Sequence, residues 1–413
     1  MSERLSRLYP ALAERNYRYY WFGQCVSLVG TWMQTTAQQW LVYSLTKSAL
    51  LLGLLGAAQF GPVMCLSLVA GVVIDRYPKK RLLLITQTCL MLQAFALALL
   101  VWTGEVTYWH VLILAALLGL VNTLDQPARQ AFVPELVGRD KLRSAIGLNS
   151  AIFNLARMIG PALSAVLMAR YGAGLLFFVN GLSFIAVIFG ISLIRPRPVV
   201  VNRARQKIAA EIGEGLRYVG RTPALRNSVL CMLAVGTFIM NFSVITPLYA
   251  DEVLGAGVHG YGLLLSANGA GALVAALLAA SWAKGAPRLR QLFVLGLVLA
   301  ALLVTLEPVR DLQAAVLIYV LIGFVNILFN NAANATVQFN ASDRFRGRVM
   351  SVYSLAFLGT TPIGNLFAGT AMEKLGAGNG IALCGAAAAT LIVLIAAAAA
   401  LKGRAGRPGG GNG

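Results

Sequence analysis

The sequence predicts an all-α membrane protein with twelve transmembrane helices, arranged as two six-helix bundles related by a pseudo-twofold axis. Three observations predict it. The 413-residue chain is 58% hydrophobic and 12% charged, with a mean hydropathy of +0.73. One soluble core cannot bury that much apolar surface, so lipid must be the solvent for most of the chain. Apolar runs close to the roughly 20 residues that cross a bilayer recur twelve times. Polar and glycine positions of the first six runs also recur in the last six.

The twelve runs are 18–44, 50–74, 82–102, 107–130, 145–169, 174–194, 226–250, 259–283, 290–307, 312–338, 346–372 and 379–401. The first follows an interfacial anchor, Arg15-Asn16-Tyr17-Arg18, and is too long for the core of a cleavable signal. The second carries Pro62 after Gly61, and the fifth carries Gly160-Pro161. The eleventh carries Pro362 near Gly364, so all three spans are expected to bend or to pack tightly at these points. Between the sixth and seventh runs lies the longest polar segment. There Ile208, Ile212, Leu216 and Val219 recur at helical spacing, predicting an amphipathic helix on the membrane surface. The expected units are therefore 1–194, a linker 195–225, 226–401 and a Gly-rich disordered tail 402–413.

The repeat shows in matched residues. Arg15-Asn16 corresponds to Arg226-Asn227, Gly53 to Gly262, Gln59 to Asn268, and Gly119 and Asn122 to Gly323 and Asn326, at offsets of 204 to 211. Such a parallel duplication puts a binding site near the midplane, between the halves.

The net charge of +19 does not signal nucleic acid, because the basic residues sit at the ends of the apolar runs. With both termini cytoplasmic, 29 of the 34 Lys and Arg fall on the cytoplasmic side, while Lys47, Arg170, Arg310 and Lys374 fall opposite and Arg157 lies inside a span. The positive-inside rule then fixes a multi-pass topology with both ends inside, as in a bacterial inner membrane. The five cysteines are scattered singly and there are only two histidines, which predicts no metal site and no cofactor. No nucleophile–base set or phosphate loop appears, so an enzyme is not expected.

Ionisable groups inside a membrane are costly and face a cavity or a partner. Asp125 lies toward the cytoplasmic end of the fourth span, and Arg157 lies roughly 18 Å into the fifth at about 1.5 Å per residue. Three roles stand open for them: a buried ion pair, a proton switch in which Asp125 releases Arg157, or a charge relay from Asp125 to Asp75 and Arg76. Arg129, one turn from Asp125, reads as interfacial. Helical phase groups Gln34 and Gln38 on the first span, and Asn326, Asn330 and Asn334 at four-residue spacing on the tenth. Asn122, Asn154 and Asn241 add single amides on the fourth, fifth and seventh. These line a substrate cavity or act as interhelical hydrogen-bonding glue.

Gly71-Val-Val-Ile-Asp75-Arg76-Tyr-Pro-Lys79-Lys80-Arg81, between the second and third spans, resembles the loop signature of the major facilitator superfamily. Asp125-Gln-Pro-Ala-Arg129, Asn149 to Pro161 and Glu214 to Arg226 resemble its drug and siderophore exporters, the branch of macrolide and enterobactin exporters. The resemblance covers essentially the whole chain, with Tyr77-Pro78 departing from the usual glycine. It implies that the first, fourth, seventh and tenth spans line the pathway. It also implies that Gly71 lets the second span approach the eleventh, where Asp75, with Arg76 and Arg81, locks the outward-open state. Because the loop at 284–290 lacks the acid, a single lock is expected.

The function expected on these grounds is secondary export of an amphipathic small molecule by rocker-switch alternating access. Protons are the coupling ion, lipids surround the protein, and the working unit is a monomer. Uptake or lysolipid flipping by the same fold, and a non-transport receptor or assembly role, are the alternatives.

Overall fold

A computed structural model describes residues 9–138, 140–195, 208–282, 289–342 and 345–405. Among the described residues the secondary structure is all-helical: α1 Arg15–Thr46, α2 Ala49–Arg76, α3 Lys79–Trp102, α4 Tyr108–Val137, α5 Leu142–Ser192, α6 Ile208–Arg221, α7 Pro223–Phe238, α8 Phe242–Leu248, α9 Gly257–Trp282, α10 Leu289–Thr305, α11 Leu312–Asn340, α12 Arg346–Leu375 and α13 Ala377–Ala405. Eight of the described helical segments are long and apolar enough to cross a membrane, and Leu289–Thr305 is a shorter apolar helix. The tail expected to be disordered from 402 is helical to Ala405, and 406–413 lie outside the described residues.

Local chemistry sets the corners. Lys47 takes a left-handed conformation (φ 47°) between α1 and α2, and the Ser48 hydroxyl accepts the Leu51 N–H to start α2. Asp311 caps α11 in the same way, accepting the Ala314 N–H at 2.8 Å. The 51-residue α5 is broken into two arms at Gly172 (φ 76°), a conformation that a side chain would strain. The seventh run is interrupted: the Asn241 side chain donates to the Thr237 carbonyl at 2.6 Å, competing with the backbone where α7 gives way to α8. A π-helical turn, Tyr249–Val253, then completes this run.

Two close contacts fall at positions that match in the sequence. A Cβ on Gly119 of α4 would collide with the Gln59 carbonyl oxygen of α2, and a Cβ on Gly323 of α11 would collide with the Asn268 carbonyl oxygen of α9. Glycine at each point lets the backbones touch. The residue pairs matched in sequence are thus the pairs that meet in space.

The corners at Lys47, Asp251, Val309 and Glu373 gather at one end, here the far end, through Lys47–Asp251, Tyr249–Val309 and Ser48–Glu373 contacts. The opposite, basic end carries Lys79–Glu135 (3.0 Å), Lys141–Glu14 (2.6 Å) and Lys80 donating to the Ser192 and Ile194 carbonyls. α6 docks on the start of α12 through a Glu214–Arg348 ion pair and stacked Tyr218 and Phe345 rings 4.6 Å apart. The linker helix is thereby tied to the second half of the chain.

Candidate functional site

Asp125 is fully buried on α4. Its Oδ1 accepts hydrogen bonds from Thr86 Oγ1 and Gln87 Nε2 of α3, each at 2.7 Å. Its charge is balanced by Arg129, one turn later on the same helix, and Arg129 Nη1 also donates to Gln24 Oε1 of α1 at 2.8 Å. Three helices of the first half therefore converge on one ion pair. The i, i+4 spacing brings the half-buried Arg129 guanidinium back onto the buried carboxylate. Removing either partner would strand a charge in low dielectric, whereas the pair together is neutral.

Arg157 does not reach Asp125. It points across to the second half, where Nη2 donates to Asn268 Oδ1 of α9 at 2.8 Å. The structure thus separates the two ionisable residues that the sequence left as one possible pair.

The amides divide into two groups. Gln34 is packing rather than lining: Asn180 donates to its Oε1 at 2.7 Å, and its Nε2 donates to Gln93 Oε1 at 2.9 Å, a buried chain within the first half. Asn241 is also fully buried and lies against Gly364 of α12. Gln38 is buried, while Asn122 and Asn154 are half-buried, and Asn154 bonds only to the Ser150 carbonyl of its own helix. On α11 burial falls steadily: Asn326 is buried, Asn330 and Asn334 are half-buried and Gln338 is exposed. That stripe therefore runs from the packed interior out toward the basic end. Asn330 donates to Asn326, and Gln338 pairs with Asn334, giving a ladder along one face.

The halves of the chain meet along a seam. At its far end Tyr43 donates to Asp251 at 2.8 Å, Lys47 pairs with Asp251 at 2.9 Å, and Glu373 accepts from Ser48 Oγ and the Leu50 N–H at the start of α2. Below these, Trp40 stacks on Tyr261, and Tyr261 donates to Gln39 at 2.7 Å. Two helix pairs then close in. Asn365 and Gly369 of α12 lie against Gly53 and Ala49 of α2, and Gly262 and Gly269 of α9 lie against Pro161, Ala165 and Met158 of α5.

Gly71 takes no part in this seam: it is exposed, and a Cβ there would meet open space. The close approach of α2 to α12 is made by Gly53 and Asn365 instead, nearer the far end. Arg76 is exposed at the end of α2 and Arg81 is exposed at the start of α3. The side chain of Asp75 and the loop residues 283–288 lie outside what is described, and with them the expected lock. Of the bending positions, Gly160 packs tightly on Trp32, and α2, α5 and α12 continue as helices through Pro62, Pro161 and Pro362.

Sequence reasoning missed Arg129, Asn268, Asn180, Gln93 and Asn365 as site or core partners. Arg129 could have been found from its i+4 spacing to a buried acid. Asn268 carried a signal too, since it is the repeat partner of Gln59.

The matches to known proteins agree with this architecture. The family model for the transmembrane secretion effector matches residues 6–404. The multidrug efflux pump Tap of Mycolicibacterium fortuitum is 28% identical, over 86% of this chain and 88% of that protein. The staphyloferrin A transporter of Staphylococcus aureus is 24% identical, over 87% and 90%. Among solved structures, a bacterial homolog of the human lysosomal transporter Spinster superposes with a TM-score of 0.71 at 14% identity, covering 98% of each chain. These are membrane transporters rather than enzymes, and this chain belongs to the transmembrane secretion effector family of the major facilitator superfamily.

Proposed function

We propose that this protein is a proton-driven exporter of amphipathic small molecules, working by alternating access between two six-helix halves related by a pseudo-twofold axis. In this reading the two arms of α5 are separate spans, α7 and α8 with the π turn form one, and the total is twelve, with both termini cytoplasmic. The working unit is the monomer, and the protein sits in a bacterial inner membrane.

The observation that carries the reading is the one-sided seam. Among the described residues the contacts between the halves run from the Lys47–Asp251 pair down to Arg157–Asn268, while Gly71 and the end of the α11 amide stripe stand open at the basic end. A molecule closed at one end and open at the other represents one of the two states that alternating access requires. In the opposite state, the loop from Gly71 to Arg81 would close the basic end, with Asp75 and Arg76 as its lock. Asp125 is the proposed proton carrier: it is a buried carboxylate whose partner, Arg129, could hold the helix in place when the proton arrives. The cavity would be lined by Asn326, Asn330, Asn334, Asn122 and Gln38. The multidrug and siderophore relatives support a cargo of that amphipathic class.

Everted membrane vesicles containing the protein test this directly. They should accumulate the neutral dye N-phenylnaphthylamine when the interior is acid, and collapsing the pH gradient should abolish accumulation. Undiminished accumulation after collapse would rule out proton coupling, and no gradient-dependent movement of any amphipathic dye would count against export.

A further inference from the structure

We infer that Arg157 and Asn268, together with the groove beside them, form a subsite for the anionic group of an amphipathic cargo. The inference deepens the exporter reading above and rests on it.

The first argument is charge. Arginine stays protonated in proteins and offers five N–H donors. One hydrogen bond of Arg157 is accounted for, to the neutral Asn268 amide. Among the described residues no carboxylate pairs with it, and Asp125, the buried acid of the first half, is already engaged by Arg129. A half-buried cation with only an amide partner is poorly compensated, whereas an anion would give it a charge-assisted and bidentate bond.

The second argument is the character of the neighbours. Asn268 Nδ2 and Ser266 Oγ are buried on α9 and have no hydrogen-bond partner. Asn268 itself is only 4% exposed. A guanidinium and an amide N–H pair thus face each other between α5 and α9 with donor capacity to spare, while Ser266, two residues from Asn268, lies on a different face of α9 and lines the groove. Such a donor-rich cluster is completed by an acceptor-only group such as a carboxylate, sulfonate or phosphate.

The third argument is what adjoins it. An open groove of about 490 Å³ is walled by Met158, Ile159 and Ala162 of α5, Ser266 and Ala267 of α9 and Val320 of α11, with the exposed Leu163, Val166 and Leu263 at its rim. Met158 follows Arg157 in sequence, and Ala267 precedes Asn268. The groove itself is apolar, with Ser266 as its one polar lining residue, and Arg157 and Asn268 stand next in sequence to its walls rather than on them, so an anionic head held by the pair would set an apolar body toward the groove. The site also sits on the seam, so a bound anion would replace the one polar bond that Arg157 makes across it.

The test uses the full-length protein in phosphatidylcholine liposomes and two fluorescent probes: anilinonaphthalene sulfonate, an amphipathic anion, and N-phenylnaphthylamine, the same ring system without the sulfonate. Binding is read over protein-free liposomes. Arg157→Gln should weaken sulfonate binding by roughly tenfold or more while changing the neutral probe by less than about twofold. Asn268→Ala, which leaves the charge in place, should weaken the sulfonate by roughly threefold and keeps the test available if the first variant does not fold. Unchanged sulfonate binding in both variants, or an equal loss of both probes in folded protein, overturns the proposal. Adding phosphatidylglycerol should leave sulfonate binding in place; if it abolishes that binding, the site belongs to lipid headgroups and the cargo assignment falls. Failure of the wild-type protein to transport either probe would sink the exporter reading while leaving the binding difference intact.

Discussion

The fourth and tenth apolar runs share a frame and then part company. Gly119 and Gly323 make the same backbone contact, against Gln59 and Asn268, and Asn122 and Asn326 follow three residues later. Three residues further on, α4 presents Asp125 and then Arg129, a buried ion pair bonded to Thr86, Gln87 and Gln24. The matched positions of α11 are Phe329 and Ala333, both fully buried in the apolar core. One scaffold therefore holds charge in the first half and only packing in the second. The difference teaches where to look for a moving proton, since in the second half this position has no ionisable group to carry one.

That comparison can be broken or sharpened by substitution. The largest effect is expected for Asp125→Asn, which strands the Arg129 guanidinium and should cost about 3–5 kcal/mol of stability in a thermal or denaturant melt. Adding Arg129→Gln should restore most of that loss, because two neutral groups replace the pair; no recovery would mean that the pair is not the unit described. Gly119→Ala and Gly323→Ala should each cost about 1–3 kcal/mol, and in similar measure, since both force a Cβ into a neighbouring carbonyl oxygen. A severe loss at one and none at the other would break the shared frame. Asn180→Ala, which leaves the buried Gln34 amide short of a partner, should cost about 1–2 kcal/mol. Lys47→Ala at the far end should cost less than about 1 kcal/mol, because that lysine side chain is 62% exposed and Asp251 keeps its bond from Tyr43.

Much of the scaffold was legible in the sequence. Hydropathy located the apolar runs within a few residues of the helices, and Gly172 breaks α5 in the gap between the fifth and sixth runs. Two of the matched positions were legible as well: Gly119 and Gly323, paired in sequence, meet the carbonyl oxygens of Gln59 and Asn268, which are paired in sequence too. The site was less so. Helical phase tells which residues share a face but not which helix that face meets. Phase leaves Gln34 either lining a cavity or bonding between helices, and it bonds to Gln93 and Asn180. Asp125 and Arg157 looked like partners because both are rare charges inside spans. Their partners are Arg129, an i+4 neighbour on the same helix, and Asn268, which is distant in sequence. Gly71 matched a family motif, but it is exposed, and the close approach of α2 to α12 is made by Gly53 instead.

The central claim is that the first-half ion pair carries the proton that drives export. It is tested most directly by gradient-driven dye accumulation in everted vesicles, comparing wild type with the Asp125→Asn/Arg129→Gln double variant, each with and without an acid interior. The account predicts that wild type accumulates roughly tenfold more dye with the gradient than without, equivalent to about 1.4 kcal/mol, and that the double variant responds to the gradient not at all. A double variant that responds to the gradient as wild type does would contradict the claim and move the coupling site elsewhere in the molecule.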